Sequence, residues 1–336
     1  MDDIVRQAMA KWPNVPHCHG WLGLDSRGRW FLRDEAVQAR GPFPRDKGEE
    51  IRHEALLAFI ARNYGADAQG RWFFQNGPQR VFVELELTPF VWRVQGDGSV
   101  AAHTGQDAGA VRECLLDEHG RLLLACELGL GLVHSLDMER AAAQIEAGRW
   151  TPEPVDCSAL EQRFGYVRSP ALQALPEGVR RVAAALAAAG HPHAPRLLDG
   201  AARTAQQAAD ALGVAVGQIA KSIIFRRERD GAAVLVIASG DRRVDEAKVV
   251  ARVGAIGRAD AAFVKQATGF SIGGVAPLAH HHAPVTLIDA DLFRFDVVWA
   301  AAGHPHGVFA LQPQDLVHLT GAPVVDVVQE PHDWYY

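Results

Sequence analysis

Alternating apolar and polar positions predict that the chain up to about Gly148 is built mainly from hairpins. Three pairs of strands are expected around tight turns, within residues 20–33, 71–94 and 115–124. An apolar stripe at helical spacing predicts a helix over residues 49–64, and a second helix is expected at residues 135–147. The pattern therefore indicates a hairpin-rich α+β domain at residues 1–150.

The pattern changes at a proline-rich break that starts at Thr151, so residues 151–170 are predicted to form a linker. Helices beginning near Pro176 and Thr204 are expected next. Strands and helices then alternate irregularly, at residues 222–226, 233–239, 245–253, 260–267, 285–289, 297–301, 308–311 and 313–319. This order is typical of a mixed α/β domain, here residues 171–330, and not of a regular βαβ repeat.

Composition agrees with two globular domains. The chain has 336 residues, of which 48% are hydrophobic and 22% charged. The start is acidic, with no signal-peptide pattern, and no apolar run approaches the roughly 18 residues of a membrane span. A cytoplasmic protein without a membrane partner is expected. Four scattered cysteines form no CxxC pair and are expected to be reduced thiols: Cys18, Cys114, Cys126 and Cys157.

Charge is uneven along the chain. The net charge of −6 argues against tight, non-specific binding of nucleic acid, and no DNA partner is expected. Residues 221–265, however, contain ten basic and six acidic side chains. That local excess suits a phosphate backbone, although a solvated mixed surface explains the charge count equally well.

Candidate chemistry is concentrated in a lysine and a glycine-rich loop that a proline closes. Gly269, Gly273 and Gly274 lack a Cβ, so their amides can approach a ligand closely. Successive free N–H groups form a concavity for an anion or a developing oxyanion. Pro277 would stiffen the loop, and Lys221 adds a compact cation suited to a phosphate. The pair suits an ester near a phosphate; a plain turn beside a surface lysine is the alternative.

From about residue 171 to residue 328 the chain resembles the YbaK and prolyl-tRNA synthetase-associated editing domain family. The matching segments occur in family order, at residues 203–205, 211–214, 218–222, 239–241, 268–277 and 302–303. Members hydrolyse mischarged aminoacyl-tRNA, usually tRNA for proline, without a metal. The resemblance implies a mixed α/β fold around a partly closed sheet, no cofactor, and the 3′ end of an aminoacyl-tRNA as partner.

The resemblance also implies roles for individual residues. Lys221 would contact the terminal adenosine or its phosphate, and Gly273, Gly274 and Pro277 belong to the GxxxP loop that orients the aminoacyl group and the attacking water. These four are the expected catalytic residues. A ribose hydroxyl of the substrate would help to move the proton, so no protein nucleophile is needed. The expected substrate-binding residues are Thr268, Gly269, Phe270, Ser271, Ser239, Gly240, Asp241 and Gly303.

Two departures from the family pattern bear on specificity. Lys221 is followed by Ser222, where the cysteine-specific deacylases have a threonine, and the next helix has Lys248 as its one lysine. The long N-terminal domain is absent from minimal members. Alanine or another small amino acid is therefore favoured over cysteine. The sequence predicts a trans-acting aminoacyl-tRNA deacylase, with a non-catalytic tRNA- or protein-binding module as the alternative. A homodimer or a synthetase partner is compatible with either function.

A GxSxG pattern around Ser271 offers a third function, a serine esterase. That motif needs a strand, a sharp turn and then a helix, and the glycines and proline after the serine are a poor helix start. Asp289 and His304 occur in the chain order that a catalytic triad would require. The editing function is preferred, since partners at such distances in sequence are easily found by chance.

Two histidine clusters could suggest a metal, at residues 280–282 and 17–19. Adjacent histidines on an extended segment point to opposite faces, so at most two of three converge on one ion. A polar loop is the preferred interpretation of both clusters, and no metal is expected.

Aromatic residues are concentrated on the N-terminal hairpins. Core packing is the expected reason, with a stacking platform for RNA bases as the alternative. Residues 16–25 and 71–80 resemble an uncharacterised proteobacterial family. That resemblance supplies no activity.

Overall fold

The computed structural model describes residues 2–12, 15–198, 200, 202 and 204–330, so Arg203, at the start of a matched segment, lies outside the described residues. The chain divides into two compact units, Met1–Ala174 and Leu175–Tyr336. None of the described helices is both long and apolar enough to cross a membrane.

The first unit contains helices and two open sheets. Its helices are α1 (Asp3–Lys11), α2 (Glu35–Arg40), α3 (Glu54–Arg62), α4 (Met138–Glu146), α5 (Leu160–Phe164) and α6 (Pro170–Ala174). One sheet is formed by β1 (Cys18–Leu24), β2 (Trp30–Leu32), β3 (Glu49–Glu50), β4 (Tyr64–Ala66), β5 (Trp72–Asn76) and β6 (Gln79–Leu85), in the order β3-β2-β1-β6-β5-β4.

The other sheet of this unit is formed by β7 (Phe90–Val94), β8 (Val100–Ala102), β9 (Val111–Asp117), β10 (Leu122–Cys126), β11 (Leu130–Val133) and β12 (Pro152–Val155), in the order β12-β9-β10-β11-β7-β8. The three predicted hairpins are confirmed as the antiparallel pairs β1/β2, β5/β6 and β9/β10. The aromatic side chains of β5 and β7 are mostly buried, so core packing accounts for them.

Three hairpin turns described in this unit share one sequence pattern, an aspartate followed three residues later by a glycine. The aspartates are Asp25, Asp67 and Asp117. Each carboxylate accepts hydrogen bonds from the amides two and four residues on, at 2.9–3.0 Å. Each also pairs with an arginine four residues on, and the glycines adopt φ values of 73–75°. Because these bonds join residues close in sequence, the turns can be predicted from the sequence alone.

The stretch expected to be a linker, residues 151–170, is instead folded within the first unit. β12 pairs in parallel with β9, and Tyr166 is buried with its hydroxyl donating to the Leu87 carbonyl at 2.9 Å. Pro152 and Pro154 lie on a strand at the edge of a sheet, where a missing N–H costs no ladder bond. The prolines therefore mark an edge strand, and the boundary lies near Ala174.

The second unit is a mixed α/β domain around one open eight-stranded sheet. Its helices are α7 (Glu177–Ala188), α8 (Ala205–Leu212), α9 (Glu246–Val253), α10 (Ala261–Thr268) and α11 (Pro313–Thr320). Its strands are β13 (Arg196–Leu197), β14 (Ile219–Arg227), β15 (Ala233–Ser239), β16 (Ile256–Arg258), β17 (Val285–Asp289), β18 (Val298–Ala301), β19 (Gly307–Leu311) and β20 (Val324–Val325).

The strand order is β13-β19-β18-β14-β15-β17-β20, with β16 added beside β14. β14 and β15 pair antiparallel from Ala220 opposite Ser239 to Arg226 opposite Ala233. Parallel pairs β14/β18 and β15/β17 flank them, so the predicted mixed sheet is confirmed. Every residue of β15 is buried, which explains its continuous apolar run.

Burial in β15 predicts where the second unit is most sensitive to truncation. Val236 of β15 is fully buried, whereas Val250 of α9 is 40% exposed. Val236→Ala should lower the free energy of unfolding by about 2 kcal/mol, because it removes buried methyl groups and leaves a cavity. Val250→Ala is the matched control and should cost less than about 0.5 kcal/mol. Urea unfolding measures the free energy of unfolding of each variant, and hydrogen exchange at the β15 amides shows whether the loss is located at this strand. Equal losses for Val236→Ala and Val250→Ala would contradict the burial of Val236.

Candidate functional site

Lys221 lies in β14 opposite Ala238 of β15, near the turn that leaves β15. Its Nζ donates to the carbonyl of Gly240 at 3.2 Å and to the carbonyl of Arg242. Burial lowers the pKa of Lys221, and the nearby Asp241 carboxylate partly opposes that effect. Since an ammonium has three N–H groups, two hold the side chain and one is left for a ligand.

A network of polar side chains holds the turn that carries these two carbonyls. The Arg294 guanidinium donates to both carboxylate oxygens of Asp241 at 2.6 Å, and the Ser239 hydroxyl donates to Asp241 at 2.8 Å. Burial by itself would raise the pKa of Asp241, but the hydrogen bonds from Arg294 and Ser239 lower it, so the carboxylate is ionised. Ser239 is fully buried, and its single O–H is shared between Asp241 and the Gly217 carbonyl, so the residue is inaccessible to a ligand.

The glycine loop begins where α10 ends. Gly269 terminates the helix with φ of +76°, and the buried Thr268 hydroxyl donates to the Val264 carbonyl and accepts from the Phe270 amide. Phe270 is 1% exposed, and the Arg181 guanidinium lies 4.2 Å from its ring centroid. Thr268, Gly269 and Phe270 therefore build the base of the loop.

The tip of the loop is exposed and its exit is buried. Ser271, Ile272 and Gly273 are exposed, whereas residues 274–278, including Pro277, are buried. The amide of Gly274 donates to the Ser271 carbonyl at 3.0 Å and closes a tight turn. Among the described residues, the amides of Ile272 and Gly273 find no acceptor, so they remain available to an anion.

Close backbone packing fixes the loop against a second turn. A Cβ on Gly274 would lie 2.7–2.9 Å from backbone atoms of His304. Gly303 in that turn has φ of +80°, and a Cβ there would lie 2.5 Å from the Gly178 carbonyl oxygen of α7. Gly178 is equally constrained, since its Cβ would lie 2.1 Å from the Gly303 carbonyl oxygen. Three contacts that only glycine permits thus set the position of the loop exit.

Lys221 and Gly273 line one cleft of about 340 Å³. The rest of the lining is mainly small or apolar: Ala202, Thr204, Ala205, Ala208, Ile219, Ala220, Ser222, Ile223, Ile272, Val275, Trp299, Ala300, Ala301, Pro305, Gly307 and Val308. Gly240 and Asp241 line an adjoining groove that also contains Lys221. Lys221 therefore lies where an apolar cleft meets a polar groove.

Sequence reasoning missed several residues of the cleft. Trp299 of β18 forms part of its wall, and the Arg196 guanidinium lies 4.4 Å from the Trp299 ring centroid. The Ser222 hydroxyl is buried and has no hydrogen-bond partner within the described part of the chain. Trp299 lies in no recognised motif. Ser222 belongs to the matched segment 218–222, but its place in the cleft lining and its unpaired hydroxyl are not visible in the sequence.

The serine-esterase arrangement is not assembled. Ser271 follows a helix and a turn, without the strand and helix that the elbow needs. The Asp289 carboxylate accepts from the amides of Asp291 and Val327, and His304 Nδ1 accepts from the His306 amide at 3.2 Å. No hydrogen bond joins the three candidate triad members among the described residues.

The histidine clusters point to separate partners. His280 Nε2 lies 2.8 Å from the Ala276 carbonyl oxygen, and His281 Nε2 lies 2.7 Å from the Arg181 guanidinium. His17 and His19 both lie against the ring of Phe82. Each set is thus engaged in loop or core contacts.

Two family models match this chain. One, described as "Protein of unknown function (DUF2946)", matches residues 1–171. The other, described as "Aminoacyl-tRNA editing domain", matches residues 199–319 and confirms the resemblance inferred from the sequence. The lysine, the glycine loop and the cleft all lie within the second match.

Known relatives cover the same half of the chain. The uncharacterized protein YwhH of Bacillus subtilis (strain 168) is 35% identical over 133 residues, covering 39% of this chain and 82% of YwhH. A crystal structure described as a "putative trans-editing enzyme for prolyl tRNA synthetase" is 39% identical, covers 46% of this chain and 99% of that chain, and has a TM-score of 0.44. A crystal structure of "hypothetical protein APE2540" is 29% identical, and the match covers 44% of this chain and 99% of that chain with a TM-score of 0.42.

The packing of Gly274 predicts an asymmetry between two glycine substitutions. Gly274→Ala should displace the loop or the turn at His304, because the new Cβ would overlap backbone atoms. We expect faster hydrogen exchange at residues 271–277 and a loss of stability of about 1–3 kcal/mol. Gly257→Ala is the control, since its Cβ would meet one side-chain atom at 3.8 Å. If both variants exchange like the parent protein, the close approach is not present in solution.

Proposed function

Because this chain belongs to the family described as "Protein of unknown function (DUF2946)" over residues 1–171 and carries an aminoacyl-tRNA editing domain at residues 199–319, we propose that it is a trans-acting aminoacyl-tRNA deacylase. The observation that carries the proposal is the shared cleft of Lys221 and Gly273. The cation and the two residues whose loop amides lack an acceptor, Ile272 and Gly273, line the same small cavity. A cation and free amides suit the phosphate and the ester at the 3′ end of a charged tRNA.

The proposed reaction is hydrolysis of the ester between the amino acid and the terminal ribose. Water attacks the carbonyl carbon, and negative charge develops on the carbonyl oxygen. The free amides of Ile272 and Gly273 would stabilise that oxyanion from fixed positions. The adjacent ribose hydroxyl would accept the proton of the water and pass it to the departing ribose oxygen. The products are the free amino acid and the tRNA.

Lys221 would hold the phosphate next to the terminal adenosine. Two carbonyls fix its ammonium, so little side-chain entropy is lost when the remaining N–H meets a phosphate oxygen. Its location between the apolar cleft and the polar groove suits a nucleotide whose ester end enters the cleft while its phosphate stays outside. Lys221 would therefore act in binding and positioning more than in proton transfer.

The shape of the cleft supports a small amino acid as the edited residue. Its volume is near the lower end of the roughly 300–1,000 Å³ typical of ligand pockets, and six alanines contribute to its lining. Lys221 is the one charged side chain among the described lining residues. An uncharged, small side chain such as that of alanine, carried by tRNA for proline, is the substrate that we propose.

Removing the Lys221 ammonium should lower kcat/KM for deacylation of Ala-charged tRNA for proline by about 10- to 100-fold, the loss expected for one charge-assisted hydrogen bond. The effect should fall mainly on KM, because the contact is made in the bound substrate as well as in the transition state. The variants are Lys221→Ala and, as the control, Lys248→Ala, whose ammonium pairs with Asp326 away from the cleft lining. Release of labelled amino acid measures both.

The same assay separates catalysis from binding alone. The full chain is incubated with Ala-, Ser- and Cys-charged tRNAs, and both turnover and tRNA retention are measured. Hydrolysis that is fastest for alanine supports the proposal. Binding without turnover on any of the three would instead show a non-catalytic tRNA-binding module, and equal rates for Lys221→Ala and the parent protein would remove the assigned role of the lysine.

Substitution of Ser271 distinguishes water attack from a serine esterase. Ser271→Ala should retain turnover within about tenfold of the parent rate, because the hydroxyl is not the nucleophile in the proposed reaction. A covalent acyl-enzyme would require the opposite result, a loss on the order of 10⁴-fold or more. Quench-flow assays should also show no burst of free tRNA, and a stoichiometric burst would contradict direct water attack.

A further inference from the structure

A group of metal-ligating side chains lies in the first unit, at the tip of one hairpin. Glu118 and His119 occupy the turn between β9 and β10. β12 pairs with β9 so that Val155 lies opposite Asp117, and the chain then continues to Cys157. The parallel pairing of an edge strand therefore brings Cys157 beside a turn that is 38 residues earlier in the sequence.

The three donor groups converge. Ligand atoms of Glu118, His119 and Cys157 all lie within 4.8 Å of one another. His119 Nε2 is 3.5 Å from Glu118 Oε1, and the Cys157 amide donates to Glu118 Oε2 at 2.9 Å. Bonds of about 2.0–2.3 Å to one tetrahedral zinc ion place ligand atoms roughly 3.3–3.8 Å apart. Small side-chain rotations would bring the three atoms to that spacing.

Besides the bond between the Cys157 amide and Glu118, other hydrogen bonds hold the backbone that carries these donors. The Asp117 carboxylate accepts from the amides of His119 and Arg121 at 2.9 Å and also pairs with the Arg121 guanidinium. On the other side, the Asp156 carboxylate accepts from the Ser158 amide at 2.8 Å. Since both segments are anchored, binding of an ion would need to order side chains only, which lowers its entropic cost.

We propose that Glu118, His119 and Cys157 form a zinc-binding site with an open fourth position. Thiolate, imidazole and carboxylate together suit Zn²⁺, whereas Mg²⁺ and Ca²⁺ prefer oxygen ligands alone. The thiol proton of Cys157 leaves to solvent on binding. All three side chains are at least partly exposed, so solvent reaches the fourth position and a water molecule would complete the tetrahedron.

This site is separate from the proposed deacylase. It belongs to the first unit, whose family description names no function, while the lysine and the glycine loop belong to the second unit. A zinc ion here could stabilise the β9–β10 turn or present a bound water to a ligand of that unit. Either role would stand if the deacylase proposal failed.

The test is titration of the metal-free, reduced full-length protein with Zn²⁺ and, as a spectroscopic probe, with Co²⁺. We expect one equivalent of Co²⁺ to give a thiolate-to-cobalt charge-transfer band that Zn²⁺ abolishes. Cys157→Ser should remove that band and weaken zinc binding by at least about tenfold. Cys18→Ser is the matched control, since Cys18 is also a partly buried free cysteine and lies between two histidines.

Two further variants test whether misfolding, and not loss of a ligand, explains weaker zinc binding. His119→Ala and Glu118→Gln change exposed side chains, should keep the far-ultraviolet circular dichroism of the parent, and should each weaken zinc binding at least about tenfold. Failure of the parent protein to bind one equivalent would overturn the proposal. So would a thiolate band that survives Cys157→Ser or disappears in Cys18→Ser.

Discussion

The antiparallel pairing of β14 with β15 is the constraint on which the second unit depends. β15 is buried along its whole length, so its register against β14 is set by the core. That register places Lys221 opposite Ala238, two residues before the turn whose carbonyls hold the ammonium. A slip of one residue would turn the lysine to the other face of the sheet. The position of the cation is thus a consequence of core packing.

The polar groups around the lysine are satisfied by partners from distant parts of the chain. Asp241 is 53 residues from Arg294 in the sequence, and their ion pair holds the turn after β15. This bond adds to the pairing of β14 with β15, which holds only the strands. The glycine contacts at Gly274 and Gly303 do the same for the loop. The glycine contacts leave no space for a Cβ, and the ion pair holds the turn beside the lysine. Such constraints suit the proposed reaction, in which loop amides and a cation would act from fixed positions.

Much of the architecture was predictable because its signals are local. The aspartate–glycine turns at Asp25 and Asp117 carry their hydrogen bonds within five residues, and the continuous apolar run of β15 shows a fully buried strand. The helices and strands of the second unit accordingly lie close to their expected bounds. The order of the motifs predicts a site at Lys221 and Gly273, and both residues line one cleft.

The features that the sequence did not predict depend on contacts between residues far apart in the chain. Pro152 and Pro154 suggested a linker, since the sequence around them does not show the partner strand that makes them an edge. The sequence does not indicate Trp299, because nothing in an apolar strand distinguishes a residue that faces a cavity from one that faces the core. Gly303 was recognised, but its packing against Gly178 depends on two elements 125 residues apart.

None of the described residues that line the cleft carries a carboxylate, which narrows the proposed chemistry. Asp241 is ionised but committed to Arg294 and Ser239. Burial raises the pKa of Asp289, although amides of Val327 and Asp291 oppose that effect by bonding to its carboxylate. Neither group is available as a general base among the described residues. The protein would then supply geometry and electrostatic stabilisation, while the ribose of the substrate supplies the proton relay. Such a division makes the rate depend on how accurately the loop backbone is held, more than on any single ionisable side chain.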